Sequence, residues 1–422
     1  MRLIMNFHIL FKLLLLVVSA ALVTLSSARA ESAYKDYPTW IVDAQKNYST
    51  PSNLPGDVEN RVMFDEDIWW ALDRANTDTI INRLAKAGFN VYVPCVWHGA
   101  GTYYSSFVAY QDPRILARIK NGDDPLEYLI KRAHQKNIEI HAWFTVVRRD
   151  DDKYKKFYDE YSPKDAFDVH NTLFREFIIS LMFELVKNYN IDGLNLDYIR
   201  SMGYCTSKKC AAEYKEQTSR NLAADLILEK IPKSRIKSIE EWNERPVEYI
   251  VKSISDKSKK IKPNLMISVD SMPGARHLRM QGHDSQKWLN NKWIDNIFYM
   301  EYQNDFKISD INLAKSKVEQ PDAIIPLFSL YDMEHPTLEK KPGALLRKSI
   351  LAARKVWPNS GLAFYHYKQM STEQVNELKS TVYAKPARPT WRKCESEECI
   401  SAQADESQSS LQAKPKPPTL RQ

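Results

Sequence analysis

The chain has 422 residues and a formal net charge of +7. With 43% hydrophobic and 27% charged residues it has an ordinary globular composition, which excludes a wholly disordered chain and a polytopic membrane protein. Only 11 glycines are present, against a Gly-rich solenoid or a collagen-like fibre, while 22 Tyr, 10 Trp and 15 Phe could build a large core or platforms for flat ligands such as sugar rings.

Residues 1–30 read as a secretory leader. Arg2 and Lys12 supply positive charge, Leu13 to Val18 form an apolar run that weakens through Leu25, and Ala28-Arg29-Ala30 is an A-x-A cleavage site. The run is too short and interrupted for a good membrane span. Cleavage near Ala30 is favoured over retention as an anchor. It would remove Arg2, Lys12 and Arg29 and lower the net charge from +7 to +4, too mild an excess to suggest nucleic-acid binding.

Strand and helix signals then alternate. Trp40–Ala44 reads as a first strand. Thr77–Ala87 is a helix that stops at Gly88, and Phe89–Trp97 is an extended apolar run. Asp124-Pro125-Leu126-Glu127 combines an N-cap, a first-turn proline and a capping-box Glu, and opens a helix to Lys136. Ile138–Val147 is a strand, Leu173–Tyr189 an amphipathic helix and Gly193–Ile199 a strand. Val247–Lys260, Ser285–Asn291, Ile311–Val318 and Leu345–Val356 follow as helices. They alternate with strands at Leu265–Val269, Ile294–Tyr302, Ala323–Leu330 and Gly361–Tyr367, and Ser371 opens a last helix with Gln374 as capping partner. Eight strands alternating with eight helices imply parallel βαβ units, and over 31–384 they suit a (β/α)8 barrel. The rival, a doubly wound open sheet, lacks a Gly-rich phosphate turn after the first strand. Long insertions are expected after strand one (Lys46–Asn76) and strand four (Ser201–Pro246), on the face where such barrels carry their sites. Lys385–Gln422, rich in Pro, Lys, Ser and Gln, reads as a disordered tail.

The five cysteines include two pairs, Cys205/Cys210 and Cys394/Cys399, each with four residues between. In an exported chain these are expected as two local disulfides, with one four-thiolate metal site as the rival; Cys95 reads as a buried thiol.

Alternation along strand four turns Leu194 and Leu196 toward the helices and Asn195 and Asp197 toward the barrel axis. A carboxylate there is costly unless used or paired, Arg200 being the candidate ion-pair partner. Strand six offers Glu301, in step with Tyr299 and Gln303, and strand five ends in Asp270. Two carboxylates at one barrel mouth suit glycoside hydrolysis, one ionised as nucleophile or base and one held protonated as acid. Asp197 is read as the first, Glu301 as the second and Asp270 as its alternate. Tyr104, His98, His141, Trp143, His366 and Tyr367 are expected to line the sugar site. No H-x-H, H-E-x-x-H or G-x-S-x-G occurs, so neither a metal, a cofactor nor an esterase elbow is indicated.

At these residues the sequence resembles the bacterial glycosyl-hydrolase-like family 10, glycosidase barrels of the cell envelope. The resemblance runs in order through Trp40–Ala44, Ala87–Val93 with Gly101–Ser105, Asp124-Pro125-Leu126 through His134, Ile140–Phe144, Asp192–Arg200, the Trp242 helix leading to Lys262-Pro263-Asn264 and Ile267-Ser268, and Trp293-Ile294-Asp295, over about residues 38–370. It implies a TIM-barrel glycosidase acting on a microbial polysaccharide, peptidoglycan glycan strands included, and carries the family's strand-four Asp over to Asp197. Where relatives often show two adjacent acids, Tyr198 follows Asp197; where they often carry Pro-Gln, this chain has Met300-Glu301. The expected protein is an exported monomer whose partner is a polysaccharide, not a nucleic acid or a membrane. The alternatives are a non-catalytic glycan-binding envelope protein, or a metal-dependent deacetylase using His98 or His141.

Overall fold

The computed structural model describes residues 58–231, 236–302, 307–333 and 339–392. Eight parallel strands close into one barrel in chain order: β1 Arg61–Asp65, β2 Val91–Trp97, β3 Glu139–Thr145, β4 Gly193–Asp197, β5 Met266–Ser271, β6 Asn296–Glu301, β7 Ile324–Ser329 and β8 Leu362–Tyr365. The expected (β/α)8 class is correct, and β2 to β8 overlap the runs read from sequence. The first strand is not Trp40–Ala44, which lies outside the described residues. Arg61–Asp65 takes that place, all five residues buried and paired with β2 and β8. Charges at both ends mask this short strand in the sequence. The insertion expected at Lys46–Asn76 therefore contains β1 itself. β1 runs through Glu66 and Asp67 into the helices Trp69–Leu72 and Arg74–Ala87.

Side chains alternate across the barrel wall. Val62, Phe64, Val91, Val93, Cys95, Trp143, Phe298, Ile325, Leu327 and Ala363 fill the inside. The opposite rows, such as Leu194/Leu196 on β4 and Ile267/Val269 on β5, pack under helices that include Thr172–Asn188. Local signals act as read: Gly88 ends its helix at φ 87°, and Ser371 with Gln374 forms a capping box. The Val247–Lys260 helix is longer than expected. It spans Lys237–Ile261 and carries Pro246 inside, because Ile239, Trp242 and Asn243 are buried one turn and more ahead of it. Among the described residues no helix is long and apolar enough to cross a membrane.

The insertion after β4 is real. It holds the helices Lys208–Thr218 and Leu222–Glu229, the Cys205–Cys210 disulfide, and a small core with Tyr214, Trp242 and Met280. Cys95 is a buried free thiol; Cys394 and Cys399 lie outside the described residues.

The expected disordered tail, Lys385–Gln422, includes eight residues that are placed on the barrel; the rest of it lies outside the described residues. Residues 385–392 cross the N-terminal end of the barrel. Arg61 donates to the Lys385 carbonyl at 2.7 Å, Asn90 to that of Ala387 at 2.8 Å, and the Trp391 indole to Glu139 at 3.0 Å. Arg392 pairs with Glu139. The half-buried Trp391 ring packs against the barrel interior. Trp391→Ala is expected to lower the unfolding free energy by about 2 kcal/mol, less than for a fully buried Trp. Urea unfolding checks this.

Candidate functional site

A cavity of about 560 Å³ opens at the C-terminal ends of the strands, lined in part by Trp143, Thr145, Asp197, Asp270, Tyr302 and Tyr365. Leu196 pairs with Val269, which brings the next residues, Asp197 and Asp270, side by side with both side chains inward. Asn195, wholly buried one layer below, donates its amide to Asp270 Oδ1 at 2.9 Å and to Ser268 Oγ at 3.1 Å.

Asp197 and Asp270 are 7% and 3% exposed, so water does little to support a charge on either. Burial pushes Asp197 up to about 6, while Arg200 and the Tyr198 N–H, which donates to Asp197 Oδ1 at 2.6 Å, hold it back. Burial, and then the neighbouring Asp197 charge, push Asp270 well above the usual carboxylate range; the Asn195 amide opposes them only in part. Two buried carboxyls this close resist ionising together, so the arrangement favours one ionised carboxylate beside one that holds its proton.

The backbone after β4 is shaped to serve Asp197. Tyr198 sits in the left-handed region at φ 49°, a strained position for a bulky residue, and this points its N–H at the carboxylate. The Arg148 and Arg200 guanidiniums lie 5.5 and 4.8 Å from the Tyr198 ring centre. Arg148 and His98 both bond Asp150, each at 2.9 Å. On the facing wall Tyr302 stacks on Tyr365 at 5.2 Å, and the Tyr365 hydroxyl donates to Glu66 at 2.6 Å. The buried Nε2 of His98 has no hydrogen-bond partner among the described residues, and His98 lines the cavity, where a polar ligand could satisfy it. The Trp143 indole N–H, short of full hydrogen-bond geometry, faces the Asp197 carboxylate and helps hold it down.

Of the residues expected at the site, Asp197, Asp270, His98, Trp143 and Arg200 line this cavity, with Asn195 directly beneath. The others go elsewhere. On β6 it is Phe298 and Met300, with Tyr302 directly after the strand, that belong to the barrel interior, whereas Tyr299 joins the layer under the helices. Glu301 and Tyr299 therefore line a separate groove with Lys307, Asp310 and Leu313. Glu301 is not Asp197's neighbour at the mouth; Asp270 is. Gln303 lies outside the described residues. Tyr104 is fully buried against Tyr189, and its neighbour Tyr103 reaches the cavity. Tyr367 starts a short turn just past β8 and packs on Tyr92, and His366 turns against Tyr331; Tyr365 takes their place.

His141 is inward, as read, but at the wrong end of the barrel. It bonds Glu139 at 3.2 Å and lies 5.5 Å from the Trp391 ring. It thus cannot act with His98 at the mouth. The one group of three ligating side chains among the described residues is Asp168 with Cys205 and Cys210, whose sulfurs are bonded to each other. A Cβ on Gly193 would stand 2.7 Å from the His141 ring. Gly193→Ala is expected to cost about 1–3 kcal/mol through this overlap, read as a lower midpoint in thermal unfolding.

Sequence reading also missed Glu66, Tyr103, Arg148, Asp150 and Tyr302. Glu66, Tyr103, Arg148 and Asp150 sit on connections past strand ends, where alternation carries no signal; Tyr302, directly after β6, continues its inward Phe298–Met300 row.

The glycosyl hydrolase-like 10 family model matches residues 55–163 and 167–331. The chain belongs to the glycosyl hydrolase-like 10 family. Within curated proteins this family member is similar to glycosyl hydrolase YngK of Bacillus subtilis, with 24% identity over 208 residues covering 45% of this chain and 38% of the relative. The match thus spans well under half the length of that relative. Among solved structures the barrel is similar to the PgaB (BpsB) glycoside hydrolase domain of Bordetella bronchiseptica, with TM-score 0.52, 11% identity and coverage of 78% of this chain and 97% of that one. It is also similar to alpha-L-fucosidase isoenzyme 2 of Paenibacillus thiaminolyticus, with TM-score 0.54, 16% identity and coverage of 78% and 49%. At such identities the likeness is one of fold.

Proposed function

We propose that this family member is an exported glycoside hydrolase that cleaves a microbial polysaccharide, with peptidoglycan glycan strands among its substrates. The observation that carries the reading is the Asp197–Asp270 pair at the barrel mouth, one carboxylate poised to ionise near pH 6 and its neighbour poised to keep a proton. Asp197 acts as nucleophile or base. Asp270 donates its proton to the leaving glycosidic oxygen. Arg200 and Arg148 support the charge on Asp197. Tyr103, Trp143, Tyr302 and Tyr365 offer ring faces and edges to sugars. The leader at residues 1–30 and the Cys205–Cys210 disulfide support export, since disulfides persist in oxidising compartments.

The test is reducing-end release by the mature protein from a panel of microbial glycans that includes peptide-stripped peptidoglycan strands. Release from one class supports hydrolysis and names the substrate. Tight binding with no release from any glycan would favour a non-catalytic glycan-binding protein instead.

A further inference from the structure

Away from the mouth, the turn Ser105–Gln111 in the connection after β2 holds an aromatic ring in water. Phe107 is 93% exposed and Tyr110 is 62% exposed. The backbone beneath them is held firmly. Glu184, buried on the Thr172–Asn188 helix, spends both oxygens on this turn, accepting from the Phe107 N–H at 2.7 Å and the Ser106 hydroxyl at 2.6 Å. Ser106 Oγ in turn accepts from the N–H groups of Val108 and Ala109, at 3.1 and 3.0 Å. The Tyr154 hydroxyl accepts from the Tyr110 N–H at 3.0 Å. Burying a carboxylate is costly. Here the cost is met at a surface turn, and the result is a preorganised aromatic tip.

Below the tip runs a groove of about 660 Å³. Its lining combines Phe107, Tyr110 and Phe157 with Lys153, Lys155 and Lys156, and contains no Asp or Glu. Lys153 is paired with Asp151 at 2.6 Å. Lys155 and Lys156 are exposed and form no direct ion pair among the described residues, although the Lys155 charge is felt by the exposed Asp152, and the Lys156 ammonium stands 5.0 Å from the Phe157 ring centre. The same two connections, after β2 and β3, bring His98, Tyr103, Arg148 and Asp150 to the mouth, so a polymer leaving the mouth on this side would pass the groove.

We propose that this groove is a second, non-catalytic binding site for an acidic segment of a polysaccharide, with Phe107 and Tyr110 stacking on sugar rings and Lys155 and Lys156 pairing with carboxylates. The mixture fits that ligand class. Aromatic faces bind sugars without regard to charge, and exposed lysines outside any direct ion pair, over a lining with no Asp or Glu, select the anionic ones. The proposal extends the glycosidase reading, but its test needs no hydrolysis.

Calorimetric titration of the mature full chain with oligogalacturonate, and with the same oligosaccharide methyl-esterified, reads both elements. The acid form is expected to bind at least about tenfold more tightly than the ester, with affinity falling as salt rises. Lys155→Ala with Lys156→Ala, and separately Phe107→Ala, are each expected to weaken it about tenfold; all three residues are exposed, so the fold should survive. Equal binding of acid and ester would overturn the proposal, as would binding untouched by these substitutions. Binding lost only on Arg200→Ala would assign the ligand to the mouth instead, and capture by phosphatidylglycerol vesicles without oligosaccharide binding would make the patch a membrane contact. Loss of glycan cleavage with acid binding intact would sink the hydrolase reading and leave this one standing.

Discussion

Asp197→Asn is expected to lower glycan hydrolysis by about 10²- to 10⁴-fold while the protein stays folded. The substitution keeps the shape and the oxygen that accepts from the Tyr198 N–H at 2.6 Å, and removes only the charge. That charge is the reactive part of the site. It is supported by Arg200 and by Arg148, and burial keeps water from competing for it. The loss should fall on kcat rather than KM, because a neutral amide still fills the sugar pocket. Removing the charge also removes the second of the two causes that raise Asp270. In the variant Asp270 should therefore titrate lower than in the wild type, although burial still holds it up. Carbon-13 NMR of labelled aspartate carboxyls checks that shift alongside the rate.

Asp270→Asn is expected to be inactive and, at neutral pH, more stable than the wild type. The sign follows from linkage. The ordinary Asp value here is 3.8, and the folded protein raises both Asp197 and Asp270 above it. Well below 3.8, at about pH 3 and lower, both carboxyls are protonated in the folded and unfolded chains alike, so neither costs stability. As pH rises, the unfolded chain ionises freely and the folded chain resists, so stability drains away until each folded pKa is passed. That window runs from 3.8 to about 6 for Asp197, and for Asp270 it opens at 3.8 and runs up to a folded value well above it. An asparagine at 270 never ionises, so the variant's advantage should be absent at about pH 3, appear as pH passes 3.8 and grow toward pH 7. Urea unfolding at several pH values reads it directly. In the wild type, activity should rise as pH passes about 6, where Asp197 ionises, and fall only when Asp270 gives up its proton. Keeping such a pair at the mouth costs stability and retains function.

Most of the frame was legible because helix caps and alternation are local signals. Gly88, Asp124 and Ser371 each set a helix end by their own chemistry. Asn195 and Asp197 could be placed on the barrel axis because Leu194 and Leu196 are plainly the apolar row. β6 gave no such sign. Ile297 and Tyr299 on one face are as apolar as Phe298 and Met300 on the other, and the polar Glu301 pointed the reading the wrong way. A barrel interior this apolar breaks the rule that polar residues face the axis. β1 was missed because what marks it is pairing with β2 and β8, which is long-range. Missing it also hid Glu66 just beyond its end. Tyr103, Arg148 and Asp150 converge from connections, and the strap at 385–392 joins the barrel through bonds that span some 250 to 330 positions of chain.

The most direct measurement is reducing-end release on one cleaved glycan by four proteins side by side: wild type, Asp197→Asn, Asp270→Asn and Glu301→Gln. Release by the wild type and by Glu301→Gln, with both aspartate variants silent, is the predicted result. Full activity in Asp270→Asn with loss in Glu301→Gln would contradict the Asp197–Asp270 pair as the seat of the chemistry.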